Sequence, residues 1–164
     1  MLCSCSISHA QAVTNVSARV DLKPNGNYIF GFVVQTGVPS SLLFRSVGPT
    51  LISFGISNPA PSPSMQIYDS KGRLMTVFYT INAGSSLDLE FASVYASAGA
   101  FPLTGGEQHG SACNYGNFQP GSYTVAITDS SGKGGTFLFE LYTLSGPIAA
   151  NAPPVSVVQT LPVQ

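Results

Sequence analysis

Two histidines, three cysteines and seven acidic residues are all that this chain of 164 residues offers for a reactive site. A hydrolase needs a nucleophile held against a base. The sequence has neither a G-x-S-x-G elbow nor an H-E-x-x-H helix, and His9 falls within the first twelve residues. His109 and Cys113 would supply two metal ligands, half of what a structural zinc site requires. Asp88 and Glu90 stand two apart, so they would not share a helical face. Asp69 and Asp129 each open a D-S-x-G segment, where an aspartate ordinarily bonds its own backbone. No catalytic constellation results, and the chain is expected not to be an enzyme. No cofactor is expected; calcium is the ion those two turn carboxylates would suit, but neither turn has the acidic density or closing glutamate of an EF-hand loop.

Carbohydrate recognition would use exposed aromatic faces, and the chain has no Trp. Tyr115 and Phe118, in a stretch from Asn114 to Gln119 that reads as a loop, are the aromatics expected to be exposed. They would form the platform of an extracellular carbohydrate-binding module. The plainer reading is that loop aromatics cover an edge of the core.

Composition narrows the class. Only 8% of the residues are charged, against about 25% in a typical soluble domain. The apolar fraction of 44% is ordinary and excludes disorder driven by charge and low hydrophobicity. With a formal net charge of −1 and scattered Lys and Arg, the chain lacks the basic patch of a nucleic-acid or membrane-surface binder. No apolar run approaches the roughly 20 residues that span a bilayer.

These residues must be positioned by strands. Val13 to Val20 alternates in polarity, and Lys23-Pro24-Asn25-Gly26 supplies turn chemistry. Tyr28 to Gln35 is almost continuously apolar, as in a strand buried on both faces. Ser41 to Val47 is a third strand, followed by a helical turn within Thr50 to Phe54. Two strand-DSxG-strand units, over Met65 to Ile81 and Tyr123 to Leu144, read as hairpins. A helix is expected over Ser86 to Ala100, where Leu87, Phe91, Val94, Tyr95 and Ala98 recur at three- and four-residue spacing and Gly99 stops it. The expected fold is mainly all-β: an antiparallel β-sandwich, jelly-roll or Ig-like, with one short helix around 86–99.

Residues 1–12 read as the remnant of an export signal, with Ala10-Gln11-Ala12 as the cleavage motif, or else as a flexible start. On the first reading Cys113 remains alone; on the second it could pair with Cys3 or Cys5. Residues 13–146 form the sandwich domain, and 147–164 a Pro-containing uncharged tail. Val155, Val157, Val158 and Leu161 in that tail would suit addition to a sheet edge; the alternative is a mobile connector.

Asn15, Ser17 and Arg19, then Gly31-Phe32, then Arg45 with Gly48-Pro49 and Leu51, follow one another in a telling order. Tyr68-Asp69 with Gly72, Gly99 to Leu103, Pro120-Gly121 with Tyr123-Thr124, and Glu140 with Tyr142 complete the series. Over most of residues 13–144 the chain resembles a repeat domain of large secreted and surface proteins of environmental bacteria. It departs after Leu74, where the family has an Asn/Asp-rich stretch with Trp. The resemblance implies an extracellular β-sandwich module without assigned activity, in which Arg19 and Arg45 bridge strand ends through carboxylates or carbonyls. Together these readings describe a secreted, non-enzymatic structural or adhesive block that self-assembles through a sheet edge or terminal strand. Its partners would be itself or other surface proteins, with polysaccharide as the alternative.

Overall fold

The computed structural model describes residues 15–35, 39–78, 80–82, 86–103 and 110–153. Among the described residues nine strands form two antiparallel sheets. One sheet has the order β1 (Asn15–Leu22), β9 (Gly135–Thr143), β3 (Ser40–Val47), β7 (Gly110–Phe118), β6 (Thr80–Asn82). The other has the order β2 (Asn27–Val34), β8 (Gly121–Asp129), β4 (Pro63–Asp69), β5 (Leu74–Phe78). The expected antiparallel β-sandwich is therefore the architecture.

The core between the sheets follows from period-2 alternation. Met65 and Ile67 of β4, Val125 and Ile127 of β8, and Phe137 and Phe139 of β9 point inward and are fully buried. Aromatic rings interlock the layers: Phe30 lies 4.7 Å from Phe139 and Phe32 lies 5.2 Å from Phe44, while within its own sheet Phe32 stacks on Tyr123 at 5.1 Å. Separations and tilts of this kind suit the ring quadrupoles.

A third layer covers the other face of the five-stranded sheet. It contains α1 (Ser86–Ala98), a 3₁₀ turn (Pro49–Phe54) and a short α2 (Gly146–Ala150). Val94 and Tyr95 of α1 pack on Leu43, Val47, Cys113 and Tyr142 in a second apolar cluster. Gly99 ends α1 in the left-handed conformation with φ 69°, as its position in the sequence predicts.

Two expectations change. Tyr28 to Gln35 was expected to be buried on both faces, but β2 is an edge strand with alternating burial, and Ile29 and Val33 are 54% and 69% exposed. The doubly covered strand is β3, buried from Ser41 to Val47 in spite of Ser41, Arg45 and Ser46, because it lies between the sandwich core and the helical layer. Leu74 to Ile81 is not one strand: β5 and β6 belong to different sheets.

The two DSxG units also part company. Asp69-Ser70-Lys71-Gly72 closes a true hairpin between β4 and β5. Asp129-Ser130-Ser131-Gly132 instead turns the chain from one sheet to the other, since β8 and β9 are not neighbours. The difference lies just downstream, where Gly134 and Gly135 take φ 71° and 122°. A Cβ on Gly134 would sit 2.4 Å from the Leu22 carbonyl oxygen, and one on Gly135 would sit 2.8 Å from the Ala60 nitrogen. Only glycine admits that approach. The corner leans on the β1–β2 corner, where the Asn25 N–H donates to the Gly132 carbonyl at 3.0 Å.

Candidate functional site

Charge is concentrated under α1. Arg45 and Glu140 are register partners on β3 and β9, and their side chains are 0% and 5% exposed. Arg45 Nε lies 3.2 Å from Glu140 Oε2, without the alignment of a hydrogen bond, so the contact is an ion pair. Arg45 Nη1 donates to the Phe101 carbonyl at 2.7 Å. Its guanidinium carbon sits 4.8 Å from the centroid of Tyr95 and 4.5 Å from that of Phe101, within the range of cation–π attraction. The Tyr142 hydroxyl donates to Glu140 Oε1 at 2.6 Å. Burial first, and then that bond to a carboxylate, pushes the Tyr142 phenol well above its ordinary range.

This node ties β3 to β9 and to the segment after α1. The resemblance implies that Arg45 bridges strand ends through carboxylates or carbonyls; here it meets one of each, the Glu140 carboxylate and the Phe101 carbonyl. Arg19 is instead exposed on β1. With its charges paired and enclosed, the node presents no open acid, base or nucleophile to solvent.

The turn aspartates are also engaged. Asp129 Oδ1 accepts the Ser62 N–H at 2.9 Å, and Oδ2 accepts the Gly134 N–H at 2.9 Å together with the Ser131 hydroxyl. Burial works to raise the Asp129 pKa, but these donors outweigh it and hold the carboxyl below its ordinary value. Asp69 Oδ1 accepts the Lys71 and Arg73 N–H groups, both at 2.9 Å, and Oδ2 pairs with the Arg73 guanidinium. The groups facing both carboxylates are thus hydrogen-bond donors. Among the described residues no cluster of three His, Cys, Asp or Glu is placed to hold a metal ion.

Tyr115 and Phe118 are not a loop platform. Both lie on β7, three residues apart, and so face opposite sides of the sheet. Phe118 is 1% exposed and packs on Phe32, Phe44 and Tyr123 in the sandwich core. Tyr115 is half-buried, with its ring set edge-on to Phe91 of α1 at 5.4 Å. Asn114 to Gln119 reads as a loop because Asn and Gly interrupt its apolar pattern, and pairing with β3 overrides that local signal.

At one end of the sandwich a groove of about 630 Å³ opens between Gln35, Ser40, Asn117, Thr143 and Ala150, with no charged side chain among the described residues that line it. Helix α2 forms one wall, held by the Ser41 hydroxyl, which donates to the Ala149 carbonyl at 2.9 Å. The tail therefore begins as a packed helix where the sequence reads as a linker. Beyond α2 the Asn117 N–H of β7 donates to the Pro153 carbonyl at 2.7 Å. Val155, Val157, Val158 and Leu161 lie outside the described residues, as do Cys3, Cys5, His9 and His109.

No family model matches the chain, and no curated protein does. Solved structures do. The pre-peptidase C-terminal domain of a collagenase from Bacillus anthracis is similar with a TM-score of 0.46 and 10% identity, over 78% of this chain and 89% of that one. A Bacillus licheniformis lipase in propeptide form is similar with a TM-score of 0.44 and 13% identity, over 90% of this chain and 25% of the lipase. The chain thus spans about a quarter of that lipase. No helix among the described residues is long and apolar enough to cross a membrane.

Proposed function

We propose that the chain is a non-enzymatic building block of the cell exterior, secreted or held at the surface, which joins copies of itself or other surface proteins through sheet edges. One observation carries this reading. Strand β6 pairs with β7 only over Gly110 to Ala112, and from Cys113 to Phe118 no described strand lies on the side of β7 away from β3. The chain meets that open edge at the Asn117–Pro153 hydrogen bond. A tail strand from a neighbouring copy, carrying Val155, Val157, Val158 and Leu161, would add to the same edge by main-chain pairing. The low charge density supports the reading, because few repulsive side chains defend the sheet edges.

The full chain and a chain ending at Pro153 can be compared by light scattering and negative-stain microscopy. Assemblies should be present in the first and lost in the second. An identical size distribution for both would overturn donation of the tail.

A further inference from the structure

The four edges of the sandwich are unequal. β1 carries Arg19 and Asp21 at exposed positions, β6 spans only Thr80–Asn82, and β5 is short and breaks register opposite Ile67 and Tyr68. Charge, shortness and bulges are the usual devices that keep sheet edges from pairing. β2 has none of them. It runs eight residues in unbroken register with β8, contains no proline and no charged residue, and ends its sheet with no described strand beyond it. The outward positions of β2 and β8 add no charge: Asn27, Ile29, Gly31 and Val33 lie opposite Thr128, Ala126, Thr124 and Ser122.

The order of residues along β2 selects its partner. Reading outward from Gly31 in both directions, the sequence meets Phe30 and Phe32, Ile29 and Val33, Tyr28 and Val34, then Asn27 and Gln35. An antiparallel pair with a twofold axis through Gly31 sets each residue against the other member of its couple. Phenylalanine meets phenylalanine, one β-branched residue meets another, and amide meets amide. A shift of two residues either way sets Ile29 or Val33 against Gly31 and the other against an amide, and a shift of one turns the second sheet over.

We propose that β2 pairs antiparallel with β2 of a second copy, Gly31 facing Gly31, to give a continuous eight-stranded sheet. The inference rests on the assembly reading above and names a different edge from the one the tail meets. In this register Ile29 of each copy covers Val33 of the other, the two large apolar side chains of β2 that the single copy leaves most exposed. Half-buried Tyr28, Phe30 and Phe32, along the open flank, are covered further. The contact is isologous, so it closes at two copies. An edge of eight residues places it at the small, weak end of interfaces, and pairing should depend on concentration.

Cross-linking tests the register. In the full chain with Cys3 and Cys5 replaced by Ser, Gly31→Cys should form a disulfide-linked dimer under mild oxidation, whereas the control Ser17→Cys, exposed on β1, should stay monomeric. The substitution is compatible with the fold, because a Cβ on Gly31 would meet nothing nearer than the Tyr123 carbonyl oxygen at 3.9 Å. Ile29→Lys with Val33→Lys should weaken dimerisation at least tenfold in sedimentation equilibrium. A Gly31→Cys yield no higher than the Ser17→Cys control, or a dimer unaffected by the two lysines, would overturn the proposal. The same cross-link in a chain ending at Pro153 separates the two readings. If it persists while larger assemblies are unaffected by the deletion, tail donation alone fails. If assemblies vanish on deletion and no Gly31 cross-link ever forms, the β2 pairing alone fails.

Discussion

Arg45 of β3 and Glu140 of β9 face each other across neighbouring strands, 3.2 Å apart and enclosed beneath α1. Removing one partner strands the other charge in the interior. Glu140→Ala is therefore expected to cost about 3–5 kcal/mol in urea unfolding. A double replacement by apolar residues of similar volume, Arg45→Met with Glu140→Leu, should cost much less than the two single changes added together. Additive losses would show that the pair is not coupled.

Asp129 makes stability depend on pH in a defined direction. Its folded-state pKa is depressed, so its contribution is fully present above the unfolded carboxyl value of about 3.9 and is lost as pH falls through the lower folded value. The stability advantage of the native chain over Asp129→Asn should be constant from neutral pH to about 5 and shrink below about 4. Denaturation midpoints measured across that range would show it.

The hairpin and the corner that follow the two DSxG aspartates should respond differently to a methyl group at Gly72 and at Gly134. Gly72 has φ 73° and open space around it, so Gly72→Ala should cost only the left-handed backbone penalty, about 1–2 kcal/mol. Gly134→Ala meets backbone atoms at 2.4 and 2.7 Å as well, and should cost about 3 kcal/mol or more. Equal losses for the two variants in urea titrations would refute the distinction between hairpin and corner.

Phe118→Ala is expected to lower stability by about 3–5 kcal/mol, because it empties the centre of an aromatic cluster. Tyr115→Ala, at a half-buried position against Phe91, should cost less. Thermal melts of both variants would rank them.

Alternation made most of the sandwich legible. Val125 and Ile127 in β8 and Phe137 and Phe139 in β9 announce an inward face by spacing alone, and the apolar repeat of α1 with its glycine stop does the same for the helix. What stayed hidden depends on partners distant in sequence. The apolar run of β2 reads as buried, but nothing in the run itself says that the strand lies at the rim of its sheet. The enclosure of Arg45 and Ser46 is not written in β3 itself, since the carboxylate and helix that enclose them come from other parts of the chain. Phe118 was read as a loop residue from its Asn and Gly neighbours, whereas pairing with β3 decides its burial. Likewise α2, five residues beginning Gly-Pro, has too little local signal to stand apart from a linker.

The outermost strands each wait for a late one: Asn15 of β1 pairs with Tyr142 of β9, and Asn27 of β2 with Thr128 of β8. A ribosome adding about 5–20 residues per second leaves both early strands without their ladders for roughly ten seconds. Neither sheet can close until β8 and β9 have been made, and with such distant pairings folding is slow. The nascent chain remains threadable through a narrow conduit over that interval, and self-complementary β2 then faces the β2 segments of other unfinished chains before its own β8 exists.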